Sequence, residues 1–205
     1  MPENLKPEEV NSQTDPSVAK QYDNETSKVK QVEDFYKLVD ENKISMLNAY
    51  RKGVGPVGRC MAVAKRSGPD ILYLTNAHSK KMDDLQQNKE VQISFHDTKT
   101  EDWISITGVV TTLSNSDPRI EELYTRAIKA WFGDLGDGKH DGGPRDPRMT
   151  LIEIKSKYVV YYKTEVGTLG MITEVGAAAL TGKVAKTGTL RELTEQDLEQ
   201  ARKMG

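Results

Sequence analysis

Between residues 44 and 163 the chain returns six times to runs rich in β-branched and aromatic residues, with only short segments between most of them. The runs cover 44–49, 57–65, 70–75, 91–96, 103–113 and 148–163, and the last two are long and nearly alternating. Consecutive strands with short connections pair antiparallel. Arg66-Ser67-Gly68-Pro69 is a hairpin connection, and Gly53-Val54-Gly55-Pro56 is a turn. Three helical patterns lie around the strands. Val29, Val32, Phe35, Tyr36 and Val39 recur at three- and four-residue steps, a short helix follows Ser79, and Asp117-Pro118 starts a third with Ile120, Leu123, Tyr124, Ala127, Ile128 and Trp131 on one face. The pattern predicts a mainly β fold, a small barrel with peripheral helices.

Residues 1–28 are polar, charged and rich in proline, and read as a disordered leader. Residues 29–163 form the domain. Residues 164–205 form an extension that docks on the barrel and ends in a helix, where Thr194 and Asp197 make a capping box and Leu193 and Leu198 a hydrophobic staple. The net charge of −2 gives no reason to expect nucleic acid or an anionic membrane as partner. No apolar run reaches the roughly 20 residues of a membrane span. The single cysteine, Cys60, fits a reducing compartment, and the cytoplasm is the expected location.

The chemistry concentrates where the third strand ends. Thr75-Asn76 is followed by Ser79 at a helix start, with Lys80 and Lys81 behind it. A helix N-terminus offers unpaired N–H groups and partial positive charge. A hydroxyl and two ammonium groups there suit a phosphate monoester. Asp83 and Asp84 in the same first turn suit the helix dipole without any ligand, so a plain surface helix is the competing interpretation.

Arg59-Cys60-Met61-Ala62-Val63-Ala64, then Thr75-Asn76 with Ser79-Lys80-Lys81, Val91-Gln92-Ile93-Ser94-Phe95, Glu101-Asp102-Trp103 leading into Gly108, and the strand from Tyr158 to Tyr162 occur in a recognisable order. In that order the chain resembles the pyridoxamine-phosphate-oxidase-like, FMN-binding split-barrel superfamily, and within it the general stress protein group with its fungal blue-light-inducible members. The resemblance implies a six-stranded antiparallel split barrel, a homodimer, and FMN in a groove between the subunits. It implies that Arg59, Thr75, Ser79, Lys80 and Lys81 hold the phosphate. Met61, Leu74, Asn76, Trp103, Trp131, Phe132 and Tyr162 are the other residues implied at the flavin, and Trp131 on its helix face reads equally well as core. Alternation places Arg59 and Met61 on one face of their strand and Cys60, Ala62 and Ala64 on the other, which reads as the small-residue barrel interior.

The departures narrow the activity. Enzymes of the family that oxidise pyridoxamine phosphate carry a lysine where this chain has Ala64, and their closing basic segment has no counterpart after Lys163. Vitamin B6 oxidation is therefore not expected. Two functions remain, an FMN-dependent oxidoreductase reduced by a nicotinamide nucleotide, and a non-catalytic flavin-binding stress protein; a haem or deazaflavin ligand ranks below both. No metal is expected, because His78, His96 and His140 show no ligand spacing. The 133–147 loop lacks the ligands of a calcium loop and is long enough to cover a flavin edge.

Overall fold

The computed structural model describes residues 21–23 and 25–204, apart from the side chains of residues 168 and 169. The expected leader falls mostly outside the described residues. Helix α1 spans Lys28–Glu41, and Ser27 caps it by accepting from the Lys30 amide. It buries Val32, Phe35 and Val39 of the predicted stripe together with Leu38, while Tyr36 is half-buried and Val29 is exposed. The strands follow as β1 (Ile44–Arg51), β2 (Gly55–Ala62), β3 (Lys65–Ser67) and β4 (Asp70–Asn76). Helix α2 (Lys80–Gln87) leads to β5 (Glu90–His96) and β6 (Trp103–Ser114), and the short helices α3 (Arg119–Leu123) and α4 (Arg126–Lys129) lead to β7 (Met149–Thr164). Helix α5 (Thr168–Thr181), β8 (Gly188–Leu193) and α6 (Glu195–Met204) complete the chain.

All ladders are antiparallel, in the order β2-β1-β5-β6-β7-β4-β3, with β8 also on β7. Strand β7 organises the sheet. One edge pairs with β6 along its length, while the other is taken first by β4, over Met149–Ile154, and then by β8, over Val159–Thr164. The two ends of the order are one bent strand. The Val63 amide still donates to Lys43 (2.9 Å) and the Ala64 amide already donates to Leu72 (2.8 Å), so the pairing passes from β1 to β4 within two residues. That bend closes the split barrel. Of its eight strands, β3 continues β2 and β8 belongs to the extension, which leaves the predicted six. The register of β6 on β7 shifts at Gly108, where a Cβ would stand 2.7 Å from the Lys155 carbonyl.

The main core fills the barrel with Leu47, Ile71, Tyr73, Ile93, Ile104, Ile106, Ile154, Val159 and Tyr161. Tyr73 meets the Ser45 hydroxyl at 2.8 Å, and burial pushes its phenol pKa up. A second, smaller core joins Leu72, Met149 and Leu151 to Ile120 and Leu123.

Two expectations fail. The predicted helix from Asp117 to Trp131 is two short helices broken at Tyr124 and Thr125, both extended. Tyr124 turns its hydroxyl to the Gly142 carbonyl (3.1 Å), and Ile128 and Phe132 reach the second core only because the helix breaks. Trp131, on the predicted stripe, is instead 87% exposed. Cys60 is exposed as well, because Arg59 and Met61 take the inward face of β2. The small residues of this strand face out, opposite to the expected interior.

The C-terminal segment is tied down at both ends. Thr194 and Asp197 cap α6 reciprocally, and the staple pair Leu193 and Leu198 is fully buried. Tyr22 bridges to Leu190 and donates its hydroxyl to Glu192 (2.8 Å), so the residues just before α1 lie on β8 rather than free. Asp34 of α1, almost fully buried, receives Lys163 of β7 at 2.9 Å and Arg191 of β8 at 2.5 Å. Burial alone would raise its pKa, but the Lys163 and Arg191 cations hold it below the ordinary carboxylate value. Asp34→Ala leaves those cations short of a partner and is expected to cost about 3 kcal/mol, read as a lower urea midpoint at unchanged slope. The contribution of Asp34 is complete above pH about 4 and is lost as the pH falls through its lowered pKa.

Candidate functional site

Strand β4 ends on Thr75 and Asn76, and the chain turns into α2 through a compact set of local bonds. The His78 amide donates to Asn76 Oδ1 (2.8 Å), and the Ser79 amide and hydroxyl both donate to the Asn76 carbonyl (3.1 and 2.7 Å). Ser79 is the N-cap residue, but its side chain does not cap the helix. Its oxygen accepts from Lys81 Nζ (2.9 Å), which also donates to Thr75 Oγ1 (2.6 Å). Lys81 thus has two neutral partners and no carboxylate. Burial, and then the neighbouring Arg59 charge, push its pKa down.

Arg59 comes from β2 and binds Asp84 of α2 through Nη2. Asp84 also takes a two-pronged bond from Arg51 at the end of β1, Nε at 3.0 Å and Nη2 at 2.9 Å. Arg51, and after it Arg59, hold the Asp84 carboxyl below its usual range. The helix-dipole role predicted for Asp84 is therefore secondary: the residue is buried and docks α2 on the β1–β2 hairpin. Asp84 pairs with Arg51 and Arg59 but not with Lys81, and the exposed Asp83 adds a weaker attraction on Arg51, so the cluster keeps a net positive charge centred on Arg59 and Lys81. Arg59 Nη1 is buried with no hydrogen-bond partner. Thr150 Oγ1 is too, and Thr150 lies directly across from Thr75 in the β4–β7 ladder. Paired residues share a face, so Thr150 belongs to the cluster. Sequence alone did not point to it, because its place depends on the register. The same holds for Arg51.

The other predicted residues divide. Lys80 is exposed and takes no part in these bonds. Met61 belongs to the main core and Leu74 packs on the second. Phe132 is held at the same end of the sheet. Arg148 donates to its carbonyl (2.8 Å), lies 5.6 Å from its ring centre, and accepts from the Ala77 amide (2.7 Å). Arg148 in turn holds the buried Asp146 at about 2, below the usual carboxylate pKa. The 133–147 loop is stitched to itself by Asp134, Asp137, Asp141 and Asp146, each accepting from a nearby backbone amide.

Trp103 and Tyr162 lie elsewhere. They are partners in the β6–β7 ladder, nearly parallel, with centres 6.3 Å apart. They line a cavity of about 430 Å³ with His96, Glu101, Thr187 and Leu190. Glu101 adopts a left-handed φ of 61° and meets His96 Nε2 at 3.1 Å. Tyr162 is twelve residues along β7 from Thr150, about 40 Å of strand. One chain therefore holds a cationic cluster at one end of β7 and an aromatic cavity at the other.

The sequence pattern of the family described as pyridoxamine 5'-phosphate oxidase like matches residues 30–186. The chain belongs to that family. It is 35% identical over 192 residues to Protein bli-3 of Neurospora crassa, spanning 92% of this chain and 91% of that protein. Its fold matches a general stress protein 26 from Jannaschia sp. CCS1 with a TM-score of 0.63 at 19% identity, over 81% of this chain and 99% of the other. A pyridoxamine 5'-phosphate oxidase-related, FMN binding protein from Nostoc punctiforme PCC 73102 matches with a TM-score of 0.50 at 15% identity, over 66% and 82% of the two chains. The family's split barrel is thus the fold found here. Among the described residues no three His, Cys, Asp or Glu side chains gather to hold a metal, and no helix is long and apolar enough to cross a membrane.

The lowered Lys81 pKa has a consequence for the ligand-free protein. The native state binds that proton less readily than the unfolded chain, so charged Lys81 costs stability, and the cost fades as the pH rises through its lowered pKa. Lys81→Gln is expected to raise ligand-free stability at pH 7 by about 0.3–1 kcal/mol, the scale of one charge at a helix terminus. Urea unfolding at pH 7 and at pH 10 should show the gain shrinking at the higher pH.

Proposed function

We propose that this protein binds FMN, with the phosphate on Arg59, Lys81, Thr75, Ser79 and Thr150, and that it works as a flavin-dependent oxidoreductase in a homodimer. The observation that carries the reading is the cluster's own imbalance. A net positive cluster in which Lys81 has no carboxylate partner suits a phosphate monoester dianion, and Arg59 Nη1 and Thr150 Oγ1 are buried polar atoms in want of a partner. A phosphate supplies acceptors to Arg59 and Lys81 and to the Thr75 and Thr150 hydroxyls, and to Ser79 once its hydroxyl turns from the Asn76 carbonyl, so the residues present fit the group.

A distance supports the dimer. The flavin ring needs an apolar or aromatic surface, and Trp103 with Tyr162 offers one. These side chains stand far along β7 from the phosphate cluster of their own chain, so a two-fold pairs the cationic end of one protomer with the aromatic end of its partner. The outward face of β1 and β2 supports this. Ile44, Met46, Asn48 and Tyr50 alternate there with Pro56, Gly58, Cys60 and Ala62 across the ladder, and none is charged in a chain that is 29% charged.

Bound FMN would supply two-electron redox chemistry. Arg59 and Lys81 anchor its phosphate, Asp84 keeps Arg59 in place, and the cavity around Trp103 fixes the ring and limits water. The Nostoc relative is described as FMN binding, which supports the cofactor; an FMN-binding stress protein without a substrate is the alternative. Anaerobic mixing of the FMN-loaded protein with NADH or NADPH separates the two. Saturable bleaching of the flavin is expected for the enzyme, and none with either nucleotide for the binding protein.

The phosphate assignment has its own test. FMN is expected to bind at least ~10-fold tighter than riboflavin, since a lost charge-assisted bond costs about 1.5–3 kcal/mol. Lys81→Gln should erase most of that preference and leave riboflavin affinity unchanged. Lys80→Gln should change either affinity by no more than about 2-fold, as for an unpartnered surface residue. Fluorescence titration reads all three, and equal affinities in the unsubstituted protein would overturn the assignment. Light scattering should give about twice the 22.9 kDa chain mass.

A further inference from the structure

Helix α5 is apolar on nearly every side, and Glu174 is its one charged residue. Such a helix is normally buried. Among the described residues no other element packs closely against it, and Ile172, Val175 and Leu180 stand exposed, Leu180 by 90%. It leaves the body at Thr164–Gly167, beside a cavity of about 410 Å³ that is also lined by Glu101, Asp102 and Met171. Glu101 lines the aromatic cavity too, so the helix springs from the Trp103 end of the molecule.

We propose that α5 is an exchanged arm, which crosses to a second copy of this chain and lies on the outward, uncharged face of its β1–β2 hairpin. This rests on the homodimer of the preceding section and specifies which surfaces make it. The pairing in which an aromatic end meets a cationic end brings the root of α5 to the partner's β2, the strand that carries Arg59 on its other face. Among the described residues of one chain both surfaces are uncovered, and a two-fold covers each of them twice.

The areas agree. The outer face of β1, β2 and neighbouring β5 measures about 25 by 15 Å, roughly 400 Å². One face of a 14-residue helix adds about 21 by 10 Å, roughly 200 Å². The sheet alone is about half of what a stable interface takes from each partner, about 800 Å². With the arm, and with the relief of the side chains, the sum reaches that scale. The charge pattern favours a protein over an anionic lipid surface, because the helix presents no lysine or arginine.

Cys60, the one cysteine, lies on the landing face and reports the contact directly. Ile172→Cys and Val175→Cys place a second thiol at neighbouring positions on one face of the arm, and Leu180→Cys places it about two turns further along and roughly 80° round from Ile172, all at exposed positions where folding is not at stake. Mild oxidation of the full-length chain is expected to give, for at least one variant, a disulfide-linked species at twice the chain mass. It should exceed the yield of the unsubstituted chain and disappear when Cys60→Ser is added. Light scattering on the same samples keeps the two readings apart. A monomer overturns the dimer and the arm together. A dimer in which none of the three variants cross-links overturns the arm alone. A species of single-chain mass with both thiols consumed places the arm on its own hairpin, and flotation of the protein with phosphatidylcholine vesicles makes lipid its cover; either result overturns the proposal.

Discussion

Strand β7 is the constraint on which the rest of the molecule hangs. Sixteen residues long, it is paired on one edge by β6 and on the other by two strands in succession. A strand has only two edges, so the handover from β4 to β8 divides the molecule. The β4 end carries the turn into α2 and the second core. The β8 end carries the C-terminal helix, the Tyr22 segment and the buried Asp34 network. A barrel strand of ordinary length would have left no edge for β8, and the C-terminal segment would have had nothing to pair with.

The cationic cluster is costly in the isolated chain. Like charges stand together, one of them partly desolvated, and polar atoms go unmatched, where buried groups ordinarily find partners. Asp84 makes the arrangement tolerable without neutralising it. By taking Arg51 and Arg59 together it fixes α2 against the barrel and orients the inward arginine, yet it leaves Lys81 without a carboxylate. An assembly tuned for stability alone would place a second carboxylate beside Lys81. Its absence gives the proposed phosphate a larger share of the binding energy than neutral hydroxyls could supply.

Much of this was legible in the chain. Alternation located the six barrel strands to within a few residues but not β8, and the turn Thr75-Asn76 with Ser79 and Lys81 could be read directly, since its bonds all form within seven residues. The staple and capping box of α6 were equally local. The failures share a different cause. Cys60 was placed inside because small residues fit a tight barrel, whereas alternation says which residues share a face and not which face is inward; Arg59 and Met61 took that side. Trp131 followed a stripe that the chain abandons at Tyr124, where a hydroxyl finds a carbonyl eighteen residues away. Lys80 and Lys81 look alike in sequence and differ by one helical step in space. Arg51 and Thr150 carried no signal, since each reaches the cluster only through strand pairing.

By itself the sequence determined the β class, the six barrel strands in their order, the basic turn after β4 and the capping signals of the last helix. These rest on periodicity and on hydrogen bonds between near neighbours, which any chain of this pattern would form. The tertiary structure decided which face of β2 points inward, which lysine joins the cluster and that Asp84 is a buried anchor. It also set the cationic and aromatic residues at opposite ends of one strand. Those outcomes depend on ladder register and on where burial removes water from a charge, and both arise only when distant segments of the chain meet.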